Sequence, residues 1–215
     1  WRPGRLTRPP TMLTDARSGV SARLEASFGA GRSGRQSRVH ASPPLELRGP
    51  FAGRSLPRFF LRNVTAGVFD GDCYDITLRT EPGAYAWVEP TSATRIHAGC
   101  GSGARSSLHL EAGAASTLVV ANGLTIPYAG SRFVQAVDAV VHPDAALAYF
   151  EVMAVGRTAS GERLAFRSFT SELRIHGDDR REPRYEERFV LCPAQTQAEL
   201  ETALAGASAV GTLFL

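Results

Sequence analysis

Three short turns punctuate the middle of this chain at almost constant intervals. Glu-Pro-Gly-Ala at 81–84, Glu-Ala-Gly-Ala at 111–114 and His-Pro-Asp-Ala at 142–145 start 30 and 31 residues apart. An apolar run follows each turn, at 85–88, 117–120 and 147–155. Each unit reads as an outward strand, a tight turn and a return strand. A unit of that size cannot bury its apolar face alone, so neighbouring units must stack. The expected fold class is therefore mainly β: a β-helix-like stack of strand coils or two packed sheets, with few helices near the C-terminus.

The flanking segments agree. In 21–28, Ala22, Leu24, Ala26 and Phe28 alternate with Arg23, Glu25 and Ser27, the pattern of a half-buried strand. Residues 35–47, 59–61 and 74–79 read as extended, as do 164–169, 172–176 and 185–191, with a turn at 177–180. Residues 195–204 have helical propensity, with Gly206 as a stop. Residues 1–20 read as a loose leader, and Met12 offers a start that would make 1–11 non-native. The remainder, 21–215, reads as one β domain. It ends on an apolar strand, 210–215, with nothing to cover it, so we expect a C-terminal truncation.

All 24 cationic side chains are arginine. The absence of lysine excludes Schiff-base lysine chemistry and a P-loop lysine. Up to residue 62, 12 arginines face three acids; from residue 63 on, 12 face 18. No interleaved aromatics accompany the basic stretch, so no nucleic-acid partner is expected. Three widely spaced cysteines suggest neither a disulfide framework nor a zinc ribbon, and reduced thiols suit a cytoplasmic protein. Residues 112–131 carry no charge, but Asn122, Gly123, Pro127 and Gly130 interrupt them. The pattern is that of strands, and no membrane association is expected.

Few motifs carry chemistry. Gly29, Gly31 and Gly34 match a dinucleotide-binding spacing, yet no helical pattern follows to hold a pyrophosphate. The glycines of 99–103 read as a loop, not a phosphate cradle. His97, Cys100 and His109 have soft-ligand chemistry but lack a second ligand pair. No G-x-S-x-G elbow is present. Asp70, Asp72 and Asp75 form a local acid cluster, with turn chemistry or a polar entry site as the two readings. Glu151 stands in a long apolar run and needs a partner if buried. Arg157 or Arg132 would make a structural ion pair; a metal-transfer role is the other reading.

Four phrases in order carry a family resemblance. Thr-Ala-Gly-Val-Phe-Asp-Gly-Asp at 65–72, the stretch Pro90 to Arg95, the stretch Thr125 to Phe133, and the stretch Glu151 to Arg157 resemble the UreD/UreH family of urease accessory proteins. The similarity covers roughly 21–191. The chain departs from many relatives at 121–124, which holds no acid or proline. The resemblance implies a β-helix-like scaffold that is not an enzyme. It implies docking on apo-urease subunits and recruitment of UreF and the GTPase UreG, in a hetero-oligomeric complex that inserts nickel. No cofactor is tightly bound on this reading; nickel passes in transit through a polar interior path. Asp72 and Glu151 are the metal-contact candidates on that path, and Thr91 and Ser92 are further candidates. The alternative from another class is a β-solenoid carbohydrate-active enzyme, which calls for stricter coils and paired acids or a catalytic lysine.

Overall fold

The computed structural model describes residues 19–30, 36–51 and 56–215. Residues 1–18 of the expected 1–20 leader and part of the glycine-rich 29–34 motif lie outside the described residues. Among the described residues, fourteen strands, one α-helix and a short 3-10 turn at Thr158–Ser160 build the fold. The strands are β1 (Ser21–Phe28), β2 (Gln36–Ala41), β3 (Leu45–Phe51), β4 (Arg58–Asn63), β5 (Cys73–Thr80), β6 (Tyr85–Pro90), β7 (Thr94–Ile96), β8 (Ala104–Ala112), β9 (Thr117–Pro127), β10 (Arg132–Val141), β11 (Ala146–Ala154), β12 (Ser168–Gly177), β13 (Tyr185–Leu191) and β14 (Ala209–Phe214). The helix, α1, is Pro193–Leu204.

Two seven-stranded sheets face each other, the second completed by β7, which pairs with β9. The outward strands form one sheet in the order β13-β12-β10-β8-β5-β1-β2; the return strands form the other, β14-β11-β9-β6-β4-β3. Within the stack, β1, β5, β8, β10 and β12 are parallel neighbours, as are β4, β6, β9 and β11. This is what the three turns predict: each sends the chain from one sheet to the other, and the next coil lands beside the last. The turns themselves interlock, since the Gly83 amide donates to Ala114 O and the His142 amide to Ala112 O. Antiparallel strands close both ends of the stack, β2 and β3 at one and β13 and β14 at the other.

Because coils stack in register, equivalent residues form rungs across the sheet. One inner rung of the outward sheet is Leu24, Ile76, Leu108, Val137 and Leu173. The next is Ala26, Leu78, Leu110, Ala139 and Ile175. All are buried, and they meet Phe59, Val88, Leu118 and Leu147 from the return sheet in one core.

Two local expectations shift. Residues 164–169 are not a strand of their own: Leu164 (φ 51°) and Phe166 are buried within the loop that precedes β12. An apolar run covered by a loop looks like a strand in sequence. The helix stops at Ala205, which takes a left-handed φ of 47°, one residue before Gly206.

The outer face of the outward sheet is a lattice of charges. Arg79 and Arg180 both bind Glu111, and Arg174 and Arg188 both bind Glu172. The Arg79 guanidinium, followed by that of Arg180, holds the Glu111 carboxyl below its ordinary value of 4.5, against the opposing effect of burial. With the folded value below the unfolded one, the pair stabilises fully above about pH 4.5, and the contribution is lost as pH falls through the folded value. Glu111→Gln should therefore flatten the acid limb of a stability–pH profile while lowering stability at neutral pH. An acid limb identical to wild type, read by urea unfolding between pH 3 and 6, would reject that origin.

Candidate functional site

One inner rung breaks the apolar pattern. Tyr74 on β5 pairs in register with Ser106 on β8, Ser106 with Gln135 on β10, and Gln135 with Ser171 on β12. Four polar side chains thus follow one another across four coils, between the rung of Ile76, Leu108, Val137 and Leu173 and one of Ala104, Phe133 and Phe169. The return sheet answers with Asn63 on β4, Asn122 and Thr125 on β9, and Tyr149 and Glu151 on β11. A cavity of about 100 Å³ lies along this lane, lined among others by Asn63, Tyr74, Ser106, Asn122 and Gln135. A water needs roughly 10–15 Å³ of such space, so several fit.

Thr91 and Ser92 are exposed at one mouth of this cavity. Asp72 is buried at 4% exposure and touches the lane through Tyr74. Its Oδ1 accepts the Val20 amide at 2.8 Å; its Oδ2 accepts the Phe69 amide and the Tyr74 hydroxyl, each at 2.9 Å. Burial first, and then the hydrogen bond to Asp72, raises the Tyr74 hydroxyl pKa, so Tyr74 remains a donor. Asn63 Nδ2 donates to Tyr74 Oη at 3.2 Å and to Gly67 O at 3.0 Å.

Glu151 lies at the other end, half-buried. Its Oε1 accepts the Ser171 hydroxyl at 2.7 Å; its Oε2 accepts the Tyr149 hydroxyl at 2.6 Å and the Gln135 amide. Asn122 Nδ2 donates to Gln135 Oε1 at 2.9 Å, which fixes the orientation of that amide. Burial, then the Glu151 charge, raises the Tyr149 hydroxyl well above its ordinary value. Neither expected arginine partners Glu151. Arg157 is held by Glu162, and Arg132 donates to Gly101 O at 3.1 Å. Both approach the loop end of the stack, whereas Glu151 faces inward along its strand. Hydroxyl and amide donors from three strands satisfy the carboxylate instead.

Sequence reasoning missed Asn63, Ser106, Asn122, Gln135, Tyr149 and Ser171. The available signal was a polar residue at an inward position of an otherwise apolar alternation, repeated from coil to coil. Asn122 falls at a β-bulge, where the register between β9 and β11 shifts next to Glu151. Asn122 continues the inward alternation of Leu118 and Val120, and the bulge re-phases the strand so that Thr125 faces inward as well.

The 65–72 phrase is a set of staples between coils. A Cβ on Gly67 (φ 153°) would stand 2.4 Å from Arg95 O in the next coil, so only glycine fits. Asp70 accepts the amides of Gly101 and Gly103 at 2.6 and 2.7 Å. The glycine loop at 99–103 is thus filled by the protein's own carboxylate. Turn chemistry accounts for Asp70 and Asp72, whereas Asp75 lies on the outer face, 3.6 Å from His109. His97 stacks on Phe69 at 4.4 Å and meets the Tyr128 ring edge at 4.9 Å, while Arg157 lies 4.2 Å above Tyr128. His97 and His109 therefore serve different surroundings. Among the described residues, no three His, Cys, Asp or Glu side chains are grouped to hold a metal ion. None of the described helices is long and apolar enough to cross a membrane.

A family model for the UreD urease accessory protein matches residues 19–215. Urease accessory protein UreD 2 of Synechococcus is 33% identical over 67% of this chain and 53% of its own length. UreD of Deinococcus radiodurans is 31% identical over 82% of this chain and 64% of its own. UreD of Haloarcula marismortui is 29% identical over 65% and 48%. This chain spans about half to two thirds of the length of these curated relatives. With the family model covering nearly the whole sequence, the chain belongs to the UreD family of urease accessory proteins.

Proposed function

We propose that this protein is a non-catalytic, cytoplasmic scaffold in urease maturation, docking on apo-urease and recruiting UreF and, through it, UreG. On this reading Ni(II) is cargo, and the polar lane between the sheets is its route toward the urease site. The single observation that supports the lane is the rung Tyr74–Ser106–Gln135–Ser171, which places polar groups on four successive coils inside an apolar stack. Hydroxyl, amide and carboxylate oxygens are weak, exchangeable ligands for Ni(II). A row of them passes an ion along where a cluster of thiolates or imidazoles would retain it. Thr91 and Ser92 stand at the mouth, Asp72 anchors Tyr74 beside it, and Glu151 supplies the carboxylate at the far end.

The test is co-expression of apo-urease subunits, UreF and UreG in nickel medium, with and without this chain in its natural gene. Urease activity and nickel content that depend on the gene, with co-purification of the chain, are expected. Full activity without it, together with no co-purification, would reject the scaffold reading.

A further inference from the structure

The two outer faces of the sandwich differ in kind. The outward sheet presents the charge lattice described above. On the return sheet, β9, β11 and β14 contain one charged residue among them, Glu151, and it points inward. Register places Trp87, Val119 and Ala148 in one outer rung, and Ala121, Phe150 and Leu213 in the next. Leu124, Phe150 and Leu213 are 37%, 42% and 62% exposed. Parallel strands that read as unbroken apolar runs are normally covered on both faces. Here the inner face is covered by the core, and none of the described residues covers the outer one.

The margin of this outer face has the composition of a binding hot spot. Phe51 and Phe60 pack at 5.3 Å, and the Arg58 guanidinium lies 5.9 Å from the Phe60 ring and 5.8 Å from that of Trp87. Aromatic residues and arginine dominate the energetics of protein interfaces. Arg48, Arg58 and Arg62 share this face with Glu46 and Glu89, and Arg95 stands beside Ile126 at its far side. Four arginines against two glutamates leave the margin positive.

We propose that the outer face of the return sheet is a docking surface for a partner protein that presents an apolar centre bordered by carboxylates. Contiguous exposed apolar patches rimmed by polar residues mark interaction sites. The charge of the margin selects among occupants: a second copy of this chain would bring arginines to arginines, whereas carboxylates on a foreign surface complement them. The inference rests on the urease-maturation reading for the choice of partners to assay.

The experiment places single arginines on the face, Phe150→Arg and Leu124→Arg, with Arg62→Glu at the margin and Arg174→Ala on the opposite sheet as control. Each variant is co-expressed with the urease subunits, UreF and UreG, and retention of the complex is measured at two salt concentrations, alongside Tm and light scattering of the isolated protein. The expected result is a loss of retention of 10-fold or more for Phe150→Arg and Leu124→Arg at unchanged Tm, a smaller and salt-dependent loss for Arg62→Glu, and none for Arg174→Ala. Full retention of the two arginine variants would overturn the surface while leaving the scaffold reading intact. So would a fall in Tm of several degrees, which would mean that the chain covers the face itself. A wild-type dimer that Phe150→Arg converts to monomer without affecting retention would overturn the foreign partner in favour of a second copy. Wild type that retains none of the three partners would remove the scaffold reading and the surface with it.

Discussion

Replacing Glu151 by glutamine should lower the nickel loaded onto urease by about 10-fold or more, while the accessory complex still assembles. Glutamine keeps the length of the side chain and one oxygen, in place of Oε1, for the Ser171 hydroxyl that donates at 2.7 Å, while the Tyr149 hydroxyl, 2.6 Å from Oε2, turns to accept from the new amide. It removes the charge, and its amide meets the Gln135 amide donor to donor. Leaving one buried donor unsatisfied costs about 1–3 kcal/mol, which a domain of this size tolerates. The measurement is nickel per urease active site, together with co-purification and Tm. Wild-type nickel loading in Glu151→Gln would take the carboxylate off the transit route and leave it as a packing group. Ser171→Ala serves as the companion variant: it disturbs the same hydrogen-bond set without touching the charge, and should have the smaller effect on loading.

The second large effect is on stability. Asp72→Ala should destabilise the fold by about 3–5 kcal/mol, because three donors lose their acceptor at once, at about 1–3 kcal/mol for each buried group left unpaired. Two of them, the Val20 and Phe69 amides, cannot turn elsewhere, and the third is the Tyr74 hydroxyl on the polar rung. For a chain of this length each kcal/mol shifts Tm by about 2–4 °C, so a loss near 10 °C is expected. Asp72→Asn keeps one oxygen and should lose less than half as much. A Tm change under 2 °C for Asp72→Ala would refute the anchoring role and return Asp72 to consideration as a direct metal contact. If anchoring is its role, urease activation in Asp72→Asn should track folded protein, unlike in Glu151→Gln, where activation falls at constant fold.

Much of the architecture is legible from particular residues. The turns at 81–84, 111–114 and 142–145 give the coils, and the alternation from Ala22 to Phe28 marks β1 with its bounds. The run from Tyr185 to Leu191 also matches β13. These signals are local, set by strand periodicity and turn chemistry. What sequence cannot supply is which coil lies beside which and at what register, and the site depends on both. Glu151 shows the consequence. Its nearest arginine in sequence, Arg157, is the obvious partner, but the chain turns at Gly156 and delivers Arg157 to Glu162. The donors that reach Glu151 come from Gln135 and Ser171, 16 and 20 residues away, on strands of the opposite sheet. Thr91 and Ser92 could be identified as candidates through the resemblance, whereas Ser106 and Gln135 carry no local mark beyond being polar where leucine would fit.

The register that aligns Tyr74, Ser106, Gln135 and Ser171 also sets a unit of length. Neighbouring strands lie about 4.8 Å apart, so three inter-strand steps carry the polar rung about 14 Å. A row of side chains built this way cannot be lengthened or shortened by a few residues. An insertion within a coil swells a loop at the edge of the sandwich and leaves the spacing of the inner positions unchanged. Only the gain or loss of an entire coil alters the reach, in increments of one strand spacing, and the antiparallel strands that close both ends fix how many increments there are.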